Sequence, residues 1–129
     1  MSDTDKITCV HPAGRRVADP TPGKVCEQAI AIEGLWSGLV RTEPGVTSGW
    51  HHHGDHDTSV YVIEGNVRIE FGSGGAQATD AGPGDFVQIP KHLVHREINP
   101  GPTPSQEVVT RCGTGPLTIN VDGPTTPSD

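Results

Sequence analysis

Apolar positions recur along the chain in short runs with a period of two, and none sustains the three-to-four spacing of a capped helix. Val25 to Ile32 alternates, and Leu35 to Val40 alternates again around Gly38. Val60 to Ile63 is a β-branched and aromatic run and Val67 to Phe71 alternates strictly, so Glu64-Gly65-Asn66 between them reads as a hairpin turn. Gly72 to Gly75 and Gly82-Pro83-Gly84 mark further turns, and Asp85 to Ile89 is strand-like until Pro90 ends it. Val94 to Ile98, Glu107 to Arg111 and Leu117 to Val121 complete about nine or ten strands at a spacing of ~8–12 residues. The pattern predicts an all-β protein: one antiparallel sandwich closing into a barrel over residues 21–121, with loosely held tails at 1–20 and 122–129 and no internal repeat.

Composition narrows the function. A chain of 129 residues is one domain's worth, and its 17 glycines and 12 prolines punctuate the apolar runs as turns. With a formal charge of −7 and only nine Lys and Arg, no basic stripe exists to neutralise phosphates, so neither nucleic acid nor anionic membrane is an expected partner. Cys9, Cys26 and Cys112 are odd in number and far apart, which suggests neither a disulfide framework nor a zinc ribbon. The polar start Met1 to Lys6 has no apolar core of a signal, and no run approaches the ~18 apolar residues of a membrane span. A soluble cytoplasmic protein with a small-molecule substrate or ligand is the expectation.

Six of the seven histidines fall in two clusters, His51-His52-His53 with His56, and His92 with His95. Neutral imidazole is the commonest protein ligand for a transition metal. On a strand, residues two apart share a face, so His51 and His53 point into a barrel while His52 points out. His95, from a different strand, would close a facial set and leave positions open for water, dioxygen or substrate, as a catalytic ion needs. His11 and His52 read as surface residues, and His92 as a turn residue at the pocket rim.

Gly45, five residues, His51-His52-His53, four residues, Thr58, six residues, Gly65 resembles the first motif of the cupin superfamily, with threonine where the family carries glutamate. Gly84, five residues, Pro90-Lys91-His92, two residues, His95, three residues, Asn99 resembles the second, with His92 replacing its central glycine. The resemblance spans residues 45–99 and implies a double-stranded β-helix (jelly-roll) barrel whose divalent ion, Fe, Zn, Mn or Ni, is held by His51, His53 and His95. It also implies a homodimer, since small cupins commonly pair and the segment Cys26 to Ile32 can add a strand across a two-fold axis.

Thr58 is a poor ligand because its hydroxyl is neutral. Three readings of the fourth position stand: a three-histidine site, as in some thiol and diketone-cleaving dioxygenases of the superfamily; Asp57, an acid one carbon shorter at the variant spacing; or His56 turned inward. Tyr61, Trp50, Trp36, Arg41, Arg96 and Arg111 are the large or cationic side chains near the strands, and an inward Arg41 or Arg111 would favour a carboxylate-bearing substrate. With His56 and Thr58, the residues Tyr61, Trp50, Arg41 and Arg111 make up the expected pocket. The leading function is a metal-dependent enzyme on a small organic molecule, of dioxygenase or of isomerase, cyclase or lyase type. The alternative is a non-catalytic sensor or binding cupin, and the histidines argue against a purely structural, seed-storage-like one.

Overall fold

The computed structural model describes residues 6–18 and 24–124. Eleven strands follow one another: β1 (Arg16–Val17), β2 (Lys24–Ile32), β3 (Leu35–Thr42), β4 (His51–His52), β5 (Asp57–Glu64), β6 (Val67–Phe71), β7 (Gln77–Ala81), β8 (Phe86–Ile89), β9 (His95–Ile98), β10 (Ser105–Cys112) and β11 (Ile119–Asn120). Helix is confined, among the described residues, to single 3-10 turns at Pro12–Gly14 and Ser73–Gly75, and no helix is long and apolar enough to cross a membrane. The strands form a six-stranded sheet, in the order β1-β2-β3-β10-β5-β8, facing a five-stranded sheet, in the order β11-β4-β9-β6-β7.

Alternation along each strand decides what enters the space between the sheets. On β5 the inward residues are Thr58, Val60 and Val62; on β10 they are Ser105, Glu107, Val109 and Arg111. Cys26, Trp36, Val40, Val60, Val62, Val67, Ile69, Ala81, Ile89 and Val109 form the apolar core. Among the described residues, twelve buried polar side chains share that interior, the three motif histidines among them.

The ordered strands run longer than their apolar stretches. β5 begins at Asp57 rather than Val60, because residues 57–59 pair with 110–112 of β10. Polar β7, Gln-Ala-Thr-Asp-Ala, carries no hydrophobic signal and forms because its backbone zips onto β6 from Val67↔Ala81 to Phe71↔Gln77. Part of the expected N-terminal tail is also in the sheet, since Arg16 pairs with Gln28 and Val17 with Glu27. Residues 1–5 and 19–20 of that tail, 21–23 of the expected domain and 125–129 lie outside the described residues.

Turns follow the motif glycines. Gly45, Gly65 and Gly84 have φ of 76°, 77° and 90°, in the left-handed region that side chains disfavour. At Gly65 an added Cβ would also lie 2.7 Å from the Pro104 carbonyl oxygen and from the Ser105 Cα, whereas at Gly84 it would meet open space. Gly84→Ala is therefore expected to cost only the backbone term, about 1–2 kcal/mol. Gly65→Ala adds overpacking against backbone and should cost roughly 1 kcal/mol or more beyond that. Urea unfolding of the two variants checks the order; equal losses would show that the β5–β6 turn is not packed against residues 104–105.

Candidate metal centre

His51 on β4 and His95 on β9 are direct cross-strand partners, and His53 follows two positions after His51 on the same face. All three rings are buried, with 1%, 3% and 0% of their surface exposed for His51, His53 and His95. Ring centroids lie 4.4 Å apart for His51–His95, 5.0 Å for His53–His95 and 5.2 Å for His51–His53. The ligand atoms all lie within 4.8 Å of one another.

Each ring is oriented by a backbone carbonyl. His51 Nδ1 donates to Gly49 O at 2.8 Å, His53 Nδ1 to Leu117 O at 2.9 Å and His95 Nδ1 to Leu93 O at 2.8 Å. A carbonyl oxygen only accepts, so in each neutral ring the proton sits on Nδ1 and the lone pair on Nε2. Burial, with the charges of Arg111 and His95, pushes the His53 pKa down to about 2. Burial, opposed by Glu97, brings His95 down to about 4. These two rings are neutral at pH 7. His95 Nε2 is buried with no hydrogen-bond partner, a donor atom whose lone pair a metal ion would satisfy.

Three buried charged residues that sequence reasoning missed surround the rings. Glu97 Oε2 lies 2.9 Å from Lys24 Nζ and 3.3 Å from His51 Nε2, and Oε1 lies 3.8 Å from His95 Nε2. Burial acts to raise the Glu97 pKa, but Lys24 and His51 outweigh it and hold the carboxyl well below the usual range. Burial raises the pKa of Glu107, with Lys24 opposing and Glu97 adding to the rise. The signal for Glu97 was present: it stands two residues after His95 on one strand and so shares its face. Glu107 was legible from Arg111 on β10 by the same parity, and Lys24 from Cys26 on β2.

Of the other expected site residues, the structure buries Arg111, Thr58, His56 and Trp36. Register and burial set Trp36, Arg111, Thr58 and Ile89 in one inward row across β3, β10, β5 and β8. The Arg111 guanidinium lies 4.7 Å over the Trp36 ring, and the Thr58 hydroxyl is buried with no hydrogen-bond partner. His56 is buried too, but its Nδ1 turns to His53 O at 3.0 Å and the ring does not join the three. Trp36 is core, bonded to Gln28 Oε1 at 2.9 Å.

The remaining candidates are corrected by strand parity. Asp57, next to inward Thr58, faces out, half exposed, 3.9 Å from Lys91 Nζ. Tyr61 also faces out, its ring 4.7 Å from that of Phe86, and Arg41 is exposed and paired with Glu43 at 3.2 Å. Trp50 lies half-buried under the Arg96 guanidinium at 4.5 Å, with Arg96 paired to Glu70 at 2.7 Å on the outer face. His92 is the one described non-glycine residue with positive φ, 62°, and its ring meets Asp55 at 2.8 Å at the surface.

A cavity of about 330 Å³ opens between β8 and β6–β7, walled by Ile69, Phe71, Val87, Ile89 and Leu93, and reaches His95.

The fold is shared widely. A double-stranded β-helix protein from Klebsiella pneumoniae superposes with a TM-score of 0.69 at 18% identity, over 81% of this chain and 90% of that one. The polyketide cyclase RemF from Streptomyces resistomycificus gives 0.72 at 17% identity, over 90% and 86%. Oxalate decarboxylase from Bacillus subtilis gives 0.68 at 22% identity over 79% of this chain, which spans only 28% of that enzyme's length. No curated protein matches the chain. Residues 38–110, more than half of the chain, match the family model of the cupin domain, and with both motif histidine sets gathered inside a double-stranded β-helix the chain belongs to the cupin family.

Proposed function

We propose that this cupin is a metal-dependent enzyme acting on a small organic molecule, with a divalent Fe, Zn, Mn or Ni ion held by His51, His53 and His95. The observation that carries the reading is the set of three carbonyl-anchored imidazoles, their free nitrogens turned toward one another beside a cavity that reaches His95. A structural zinc site is closed by four protein ligands, whereas three leave positions for a substrate. When bound, such an ion supplies dioxygen activation or Lewis-acid polarisation of a carbonyl. Among proteins of similar fold, oxalate decarboxylase has Mn(II) centres and RemF is a polyketide cyclase, which supports metal-centred chemistry on an organic substrate.

The cavity walls and the inward row suggest the substrate's shape. Its body is apolar, to match Ile69, Phe71 and Leu93. Its head is acidic or hydrogen-bonding, to match Arg111 and the partnerless Thr58 hydroxyl beyond Ile89. Cys9 and Cys112 are free thiols, which fits a cytoplasmic setting.

Elemental analysis of protein purified without a polyhistidine tag tests the reading directly. One ion per chain is expected. His51→Ala, His53→Ala or His95→Ala should each weaken its binding by ~10–100-fold or more, while His11→Ala, His52→Ala and Asp57→Asn retain it. Iron with oxygen uptake would make the enzyme a dioxygenase, and zinc, nickel or manganese an isomerase, cyclase or lyase. Absence of metal after reconstitution would favour a non-catalytic binding module, and metal surviving loss of both His51 and His95 would overturn the site.

Acid should destabilise the metal-free protein. An unfolded histidine takes up its proton near pH 6.5, but the folded His53 and His95 refuse it until about pH 2 and about pH 4. Their stabilising contribution is therefore complete above pH 6.5 and is lost as pH falls toward 4, at on the order of 1 kcal/mol per pH unit for each ring. Glu107, with its raised pKa, works against this trend only near and above the ordinary carboxylate range. Urea midpoints between pH 7 and 4 check the slope; a flat profile would mean that the rings are not buried neutral.

We also propose that the protein is a homodimer. Supporting this, Tyr61, Ile63 and Phe86 are exposed apolar side chains on neighbouring strands of the six-stranded sheet, and Val25, Ile30 and Ile32 are exposed on β2. Light scattering should return twice the 13.6 kDa of one chain; a single-chain mass at micromolar concentration would refute it.

A further inference from the structure

We propose that Glu97 is a fourth protein ligand of the ion, reaching it from β9 in place of the glutamate that Thr58 removes from β5. The inference rests on the histidine-held ion proposed above. Ligands bound at ~2.0–2.2 Å around one metal lie about 3.0 Å apart at octahedral corners and about 3.4 Å apart at tetrahedral ones. Glu97 Oε2 stands at such spacing from one ring, 3.3 Å from His51 Nε2, while Oε1 is 3.8 Å from His95 Nε2; the carboxylate lies beside the cluster of three histidines and would close in on the ion when it binds.

Hydrogen bonding points the same way. His51 gives its Nδ1 proton to Gly49 O, which turns its Nε2 to the Glu97 carboxylate in a dry interior. A cation there would be shared by both groups and would satisfy the orphaned His95 Nε2. β9 would thus supply two ligands, His95 and Glu97, by the same two-residue repeat through which His51 and His53 enter from the other motif. Lys24 Nζ at 2.9 Å and Ser48 Oγ at 3.5 Å hold Oε2 from behind, the outer support that ligating carboxylates carry. Lys24 is on this account a positioning residue.

The change of strand has a consequence for the substrate. In the family motif the carboxylate comes from β5, in the six-stranded sheet. With the acid moved to β9, all four ligands come from the five-stranded sheet or the loop that follows β4, and an ion that takes five or six ligands keeps its open positions on the side toward Thr58 and Arg111.

The test uses the full metal-stripped chain titrated with Zn(II) and Mn(II) against a competing chelator, and a crystal structure of the Zn(II)-loaded protein. Glu97→Gln, equal in size but uncharged, should weaken binding by ~10–100-fold, and Thr58→Ala should leave it unchanged. The loaded structure should place a Glu97 oxygen within ~2.2 Å of the ion. Should Glu97→Gln fail to fold because Lys24 is left buried without its partner, the pair Lys24→Met with Glu97→Gln removes both charges and carries the same expectation. Wild-type affinity in the folded variant, with binding lost in His95→Ala, would overturn the role of Glu97 and leave the histidine site standing. A loaded structure with Glu97 still on Lys24 and beyond bonding distance would do the same. Unchanged binding in both Glu97→Gln and His95→Ala would overturn the site itself.

Discussion

Three hydrogen bonds from imidazole Nδ1 to backbone carbonyls organise the interior of this barrel. A buried histidine without a partner costs free energy, and one whose two nitrogens are both bonded to protein has no lone pair to offer. Here Gly49, Leu93 and Leu117 each take one proton. The carbonyl-bonded side of every ring faces backbone, and the ligand nitrogens of the three lie within 4.8 Å of one another. Two of these carbonyls lie two residues before their own histidine, at Gly49 and Leu93, so local turn geometry sets the tautomer. The third, at Leu117, crosses from the segment before β11 and ties the C-terminal part of the described chain to the site.

Around the rings the barrel buries charge as well as hydrocarbon. Lys24 from β2, Glu97 from β9, Glu107 from β10 and Arg111 from β10 all face inward. Isolated charges in such a place would be strongly unfavourable, and pairing with hydrogen bonds is what makes them tolerable. Lys24 bridges the sheets by holding Glu97, so the contact that compensates a buried carboxylate also fixes the spacing between β2 and β9. Fold stability and site geometry depend on the same ion pair.

Much of this was legible in the sequence because a strand has a period of exactly two residues. The spacing of His51 and His53, the separate His95, and Gly45, Gly65 and Gly84 with their positive φ could all be read from parity and turn chemistry. The rule decides nothing where its origin is not fixed: Tyr61 stands in a continuous apolar run whose facing the sequence leaves open, and with Thr58, Val60 and Val62 inward it must face out. Strand β7 was invisible because an edge strand paired through its backbone needs no apolar side chains. Glu97 was overlooked for a different reason. A charged residue in an amphipathic strand is ordinarily a solvated one, and only the inward neighbours Lys24 and His51 reverse that expectation.

The exchange of glutamate for threonine at position 58 is best understood through these neighbours. Arg111 stands beside Thr58 across β5 and β10, and its charge reaches His53. A glutamate at 58 would place an anion next to that guanidinium and bind it as an internal salt bridge, using the cation for structure. Threonine leaves a neutral hydroxyl there, buried and without a hydrogen-bond partner. The positive charge of Arg111 is then not cancelled by its β5 neighbour, while a carboxylate persists on the opposite sheet at Glu97, already compensated by Lys24. On the reading proposed above, the departure from the family motif thus leaves a cationic side chain and a neutral hydroxyl facing the histidine cluster from the six-stranded sheet, where the family motif would set an anion.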